Sequence, residues 1–133
     1  MPTGTLRDQI IYPHTINEYK ALGKKDEDII ELLKAIDSEF IANRESNGLN
    51  TMKDWKYVLS GGEKQKIAMA RLFYHKPKYA ILDECTSAVS IEMESKMYTH
   101  AKNLDITLIT VSHRRTLWKF HDYILRFNGD VYY

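Results

Sequence analysis

The chain is short of the residues that would mark several large classes of protein. It has a single cysteine, Cys85, so no disulfide forms within it, which suits a reducing compartment. Glycine and proline number six and three, too few for a flexible linker between domains. No internal repeat and no low-complexity segment is present. Neither sign of charge dominates: 19 Lys and Arg stand against 18 Asp and Glu. That argues against a dedicated nucleic-acid binder, which carries a basic excess. No apolar run approaches the roughly 20 residues that cross a bilayer. The opening MPTGTLRDQIIYP sets Arg7 and Asp8 early and lacks the apolar stretch of a signal peptide. The histidines His14, His75, His100 and His121 show no metal-ligand spacing. The phosphate-binding pattern G-x-x-x-x-G-K-S/T is also missing from the 133 residues. A chain of this length makes one domain, but it is short for a complete nucleotide-driven motor.

What is present is patterned. After Pro13, TINEYKALGKK predicts a short helix ending near Gly23. In DEDIIELLKAIDSEF, Ile29, Ile30, Leu32, Leu33 and Ile36 recur at helical spacing, with Asp26 the expected cap. NRESNGLNTM is polar and turn-rich, hence a loop. The rhythm changes after Ser60. Glu63 to His75 predicts a helix that HKPK ends. YAILD (79–83) and ITLITVS (106–112) are short apolar runs without alternation, the pattern of strands buried on both faces. Between them, residues 91–101 predict a helix, so the unit reads strand, helix, strand with a parallel pair. YILRF and VYY flank Asn128-Gly129, a hairpin signal. The second half is therefore α/β, and the first half is a helical attachment. Cys85 reads as a small, buried or half-buried thiol, and Trp118 and Phe120 as packing residues.

Three stretches carry chemistry in order: LSGGEKQ, YAILDE and VSH. Singly, each has a plain structural reading as a turn, a loop start and a hydrogen-bonding histidine. Together they make chemical sense. Ligands of an open parallel sheet bind at the carboxyl ends of its strands, where Asp83, Glu84 and His113 fall. Asp83 suits Mg²⁺, usually through water, because that cation prefers oxygen ligands and keeps its hydration. Glu84 is placed to polarise water for attack on a phosphoryl group. His113 is placed to hydrogen-bond the terminal phosphate or the attacking water. Ser60, with the Gly61 and Gly62 amides at the start of a helix, makes an anion cradle.

In this order the stretches resemble the nucleotide-binding domain of an ABC transporter. LSGGE is similar to the signature motif, and Ile81-Leu82-Asp83-Glu84 to the end of the Walker B strand with its glutamate. Ser87-Ala88 resembles the D-loop, and His113 the switch histidine. LRDQIIYP, DWKYVLSGGEKQKIAMARLFYHKPKYAILDECTSAVS and SHRRTLWKFH are similar to the peroxisomal fatty-acyl half-transporters of the adrenoleukodystrophy-protein family. TSAVS, with Ser90 where most ABC exporters have aspartate, is the form of that group. Lys66 and Ala68 stand where an arginine and a glycine are usual; neither change removes a phosphate contact.

The resemblance implies a partial P-loop NTPase fold. A helical signature subdomain would cover 1–76, and 77–133 would form the C-terminal part of a mainly parallel core. It implies ATP and Mg²⁺ as ligands. In the family two such domains sandwich two ATP molecules, so Ser60, Gly61, Gly62 and Glu63 would grip the ATP held by a partner's P-loop. The partners implied are a second half-transporter, as homo- or heterodimer, and its transmembrane domain, with fatty acyl-CoA as cargo at the peroxisomal membrane, the domain on its cytosolic face. Arg7 and Asp8 would lie toward that membrane domain. The P-loop strand, its lysine, the adenine-stacking aromatic and the Q-loop glutamine would all precede GTLRDQ. Met1 is therefore expected to be an internal methionine, the chain a fragment, and the chain alone inactive as an ATPase. Two alternatives stand beside this reading. One is a non-catalytic interaction module that pairs with intact nucleotide-binding domains. The other is a soluble DNA-repair or translation ATPase, disfavoured by LRDQIIYP and the neutral charge.

Overall fold

Reciprocal caps start three of the seven α-helices among the described residues. The computed structural model describes residues 3–127. Strand β1 (Gly4–Thr5) runs into α1 (Leu6–Ile11). There the Thr5 hydroxyl accepts from the Asp8 amide at 3.1 Å, and the Asp8 carboxylate takes the Thr5 amide at 2.8 Å. Thr15 and Glu18 repeat the device for α2 (Ile16–Ala21). At α3 (Asp26–Ala35) the Asp28 carboxylate accepts from the Lys25 amide at 2.8 Å. Asp26, expected as the cap, is instead the first helical residue. Its carboxylate is taken by the fork of Arg7, Nε at 3.0 Å and Nη2 at 2.7 Å, a bidentate charge-assisted pair stronger than a single cap bond.

The chain continues through α4 (Glu39–Asn43), β2 (Met52–Lys53), α5 (Trp55–Val58) and α6 (Gly61–His75). The polar stretch expected to be a loop holds a 3-10 turn at Gly48–Asn50 and the strand β2. β2 pairs antiparallel with β1, Gly4 opposite Lys53 and Thr5 opposite Met52. Two-residue strands are too short to show alternation, so sequence pattern does not reveal them. Then follow β3 (Tyr79–Asp83), α7 (Ile91–Asn103) and β4 (Thr107–Val111). β3 and β4 are parallel, in register from Tyr79–Thr107 to Asp83–Val111.

α6 ends where Lys76 adopts the left-handed conformation, φ 46°, one residue before Pro77. The larger core lies between the first helices and α6, with Leu6, Ile10, Leu33, Ile67 and Phe73 fully buried. Met97 and Ala101 of α7 join it. Trp55, also fully buried, donates its indole N–H to the Gly4 carbonyl at 3.0 Å, which ties α5 to β1. A smaller core of Ala80, Leu82, Tyr98, Ile106 and Leu117 sits between the parallel strands and α7. Phe120 stacks on Tyr98 there at 5.4 Å, as packing.

The expectation that both strands are buried on both faces is corrected by the structure. Ala80 and Leu82 are buried, whereas Ile81 is 73% exposed and Ile109 54%. α7 and a 3-10 turn at Arg115–Phe120 cover one face, and no described residue covers the other. The apolar run is therefore real and its burial one-sided. Residues 123–127 carry no strand pairing. The rest of the expected hairpin, including Asn128-Gly129, lies outside the described residues.

An open apolar face flanked by unpaired strand edges favours self-association. Ile81 and Ile109 are register partners on it. Replacing both with threonine, which keeps the β-branch, is expected to raise the monomeric fraction of the purified chain in sedimentation velocity. An unchanged distribution would mean that association does not run through this face.

Candidate functional site

The parallel register brings the ends of β3 and β4 together, since Asp83 and Val111 are their last paired residues. One more backbone bond, from the Glu84 amide to the Val111 carbonyl at 2.9 Å, extends the pairing past the strand end. Glu84 takes a left-handed φ of 53°, a conformation that costs a non-glycine residue about 1 kcal/mol or more and concentrates at functional sites. Its Oε1 lies 3.6 Å from Nε2 of His113. The His113 side chain is fully exposed and Glu84 is partly so. Asp83 is exposed beside them, with its carboxylate open to solvent.

The second half of the site is the start of α6. Ser60 is its cap: the hydroxyl accepts from the Glu63 amide at 3.2 Å, and Glu63 Oε2 takes the Ser60 amide at 3.1 Å. The amides of Gly61 and Gly62, in the first turn, have no acceptor within the helix. The Ser60 hydroxyl, an acceptor in this cap, also carries a proton that it can donate. Arg44 binds the Glu63 carboxylate through both terminal guanidinium nitrogens, Nη1 at 2.9 Å and Nη2 at 3.1 Å. These bonds hold the Glu63 carboxyl below the ordinary carboxylate range and raise Arg44. The acid beside the anion cradle is thereby paired.

The loop 84–90 joins the two halves. Gln65, one turn into α6, donates to the Glu84 carbonyl at 3.1 Å and to the Ser87 hydroxyl at 2.9 Å. Its carbonyl oxygen accepts from the Ala88 amide at 2.8 Å. Gly62 suits the close approach of this loop, since a Cβ there would stand 3.0 Å from the Ala88 carbonyl oxygen, and that backbone would have to give way. At Gly61 a Cβ would meet only the Ala88 methyl at 3.7 Å. Ser90 closes the loop by capping α7, its hydroxyl accepting from the Met93 amide at 3.2 Å. Serine and aspartate are both strong N-caps, so serine keeps that function where an aspartate is usual.

The structure thus brings Asp83, Glu84 and His113 to one strand end. It sets Ser60, Gly61, Gly62 and Glu63 on one turn, and lays Ser87 and Ala88 between the two groups. Gln65 closes the LSGGEKQ stretch, and the residues alone hold no signal that its amide spans to Ala88. Arg7 and Asp8 are engaged within the chain. Arg7 is 7% exposed and bound to Asp26 and Asn50, and Asp8 is held in its capping box. Cys85 is half-buried, and burial pushes its thiol up, away from the reactive thiolate. His14, His75 and His121 bond to Tyr74, to the Tyr12 carbonyl and to Thr110.

A family model described as "ABC transporter" matches residues 2–87. The chain belongs to the ABC transporter family. Among curated proteins, the ABC transporter D family member 2 of Dictyostelium discoideum is 60% identical over 126 residues, covering 95% of this chain and 17% of that protein. The ATP-binding cassette sub-family D member 1 of Drosophila melanogaster is 53% identical over 129 residues, 97% of this chain and 17% of its own length. At 43% identity over 129 residues stands a human protein named as a lysosomal cobalamin transporter, with 95% of this chain and 21% of that protein aligned. The ABC chain therefore spans about a fifth or less of the length of these relatives. No helix of the described residues is long and apolar enough to cross a membrane.

The two glycines of this turn are predicted to differ. Gly62→Ala is expected to displace the loop 84–90, to speed amide hydrogen exchange there and to cost roughly 1–3 kcal/mol, as overpacking does. Gly61→Ala is expected to leave exchange in that loop unchanged. Equal effects from the two would show that the Gly62–Ala88 approach carries no constraint.

Proposed function

We propose that these residues are the signature and hydrolysis portion of the ATPase of an ABC half-transporter. The observation that carries this reading is the meeting of Glu84 and His113 at 3.6 Å, one loop away from the Ser60–Gly62 turn. Residues 1–76 act as the helical signature subdomain, and 77–133 as the C-terminal part of the ATP-binding core.

The residues fit the ligands. Asp83 offers a hard, exposed oxygen donor. Among the described residues no cluster of three His, Cys, Asp or Glu groups could hold a metal. Mg²⁺ keeps waters and takes phosphate oxygens rather than an all-protein cage, so one carboxylate beside bound ATP is the donor it would use here. When bound with ATP, Mg²⁺ supplies charge neutralisation on the phosphate oxygens. Glu84 orients and polarises the attacking water, accepting its proton. His113 donates a hydrogen bond toward the terminal phosphate and holds Glu84 in place. Ser60 gives its hydroxyl proton, and Gly61 and Gly62 their amides, to the terminal phosphate of ATP held by a second domain. Ser87 and Ala88 lie at that boundary. The site thus works in trans, with a partner half-transporter, and the chain alone is inactive because no group in it replaces a P-loop lysine and its amide nest.

The parent is inferred to move long- or very-long-chain fatty acids, or their CoA esters, into peroxisomes, with this domain on the cytosolic face and joined to a transmembrane domain. That cargo class rests on the resemblance of LRDQIIYP and TSAVS to the peroxisomal fatty-acyl half-transporters, since the D-family names state no cargo and one relative is named for cobalamin.

The purified chain is expected to show no ATP turnover alone. It should associate with an intact ABC nucleotide-binding domain only when ATP is present, with Ser60→Arg abolishing the association. Turnover by the chain alone that disappears in Glu84→Gln would overturn the trans reading. For the parent, stimulation of ATPase by a long-chain acyl-CoA but not by cobalamin is expected; the reverse would overturn the cargo assignment.

A further inference from the structure

His113 is held by something other than its own ring, which is fully exposed and lies 3.6 Å from the Glu84 carboxylate. The next residue, Arg114, provides the anchorage. Its Nη1 donates to the Val89 carbonyl at 3.1 Å and to Glu94 Oε2 at 2.9 Å, and its Nη2 donates to the Ser87 carbonyl at 2.8 Å. Its amide also bonds to the Ser112 hydroxyl at 3.1 Å. The guanidinium fork therefore clamps the turn that carries His113 onto the loop 84–90.

Glu94 makes the clamp rigid. It lies in the first turn of α7, is 1% exposed, and both its oxygens are used. Oε2 accepts from the Thr86 hydroxyl at 2.9 Å as well as from Arg114, and Oε1 accepts from the Thr116 hydroxyl at 2.8 Å. One buried carboxylate thus gathers two donors from the turn just after His113 and one from the middle of the loop 84–90. A buried charge of this kind is tolerated only with a paired cation and satisfied oxygens, and both conditions are met here. Gln65 grips the same loop from the other side. The loop is therefore fastened to the signature helix by Gln65 and to the histidine turn by Arg114.

We propose that Arg114, seated on Glu94, is a positioning residue for ATP hydrolysis: it acts through His113 by fixing the histidine turn against the loop that follows Glu84. The inference rests on the reading of His113 as a hydrolysis residue. Lysine keeps the charge but offers one point donor in place of a planar fork, so Arg114→Lys should loosen the turn without removing the cation.

The test is a double-mutant cycle on ATP turnover in the intact transporter, using His113→Ala, Arg114→Lys and the double variant. Arg114→Lys should lower kcat by about tenfold with little change in KM for ATP, within the range of coupling between contacting groups. In the His113→Ala background the same change should cost less than about twofold, because its route of action is already gone. Equal losses in both backgrounds would overturn the proposal and leave the role of His113 standing. Full turnover in His113→Ala would overturn the reading of His113, and the proposal with it. If Arg114→Lys fails to accumulate, Glu94→Gln takes its place in the cycle, since it keeps the shape and removes the charge that seats the guanidinium.

Discussion

The pairing of β3 with β4 is the constraint on which the rest of the site depends. A parallel ladder fixes register along its whole length, and a slip of one residue would turn every side chain to the other face. Because Asp83 stands opposite Val111, Glu84 finds the Val111 carbonyl, and His113 arrives two residues later at the same end. The chemistry has no anchor of its own. It inherits position from a ladder of five residue pairs and from α7, which packs Tyr98 behind it.

That placement is then secured by polar contacts with a loop of high local demand. Residues 84–90 contain a left-handed glutamate, a buried threonine and a helix cap within seven positions. Such a segment holds one shape only if its backbone groups are claimed. Gln65 claims the Glu84 carbonyl and the Ala88 amide, while Arg114 claims the Ser87 and Val89 carbonyls. Two side chains distant in sequence, one from each flank, thus determine a loop whose own sequence has little regular preference.

The sequence made much of this legible, for identifiable reasons. α3, α6 and α7 announce themselves by apolar spacing and acidic first turns, and the strands by uninterrupted apolar runs. Asp83, Glu84 and His113 follow from those strands, because strand ends in a parallel sheet are where ligands sit. The one-sided burial of β3 was not legible, since a run such as YAILD reads alike whether one face or two are covered. The pairing of Arg7 with Asp26, and the reach of Gln65 to Ala88, depend on contacts across 19 and 23 residues. Nothing local encodes them. Asp26 shows the cost of local reasoning: its type fits a cap, but a distant arginine claims it.

α6 also has mechanical meaning. Its fifteen residues make a rod roughly 22 Å long. Near its start it is bound to the loop 84–90 through Gln65. Near its far end Arg71 donates to the Gln9 carbonyl at 2.8 Å, and His75 contacts the Tyr12 carbonyl at 2.6 Å. Both far contacts are to α1 and the residue that follows it. A helix fastened at both ends, with Ile67, Ala70 and Phe73 buried along its length, behaves as a strut. The loop beside Glu84 and the first helix are thereby fastened to opposite ends of one rod, so their separation is set by the length of α6.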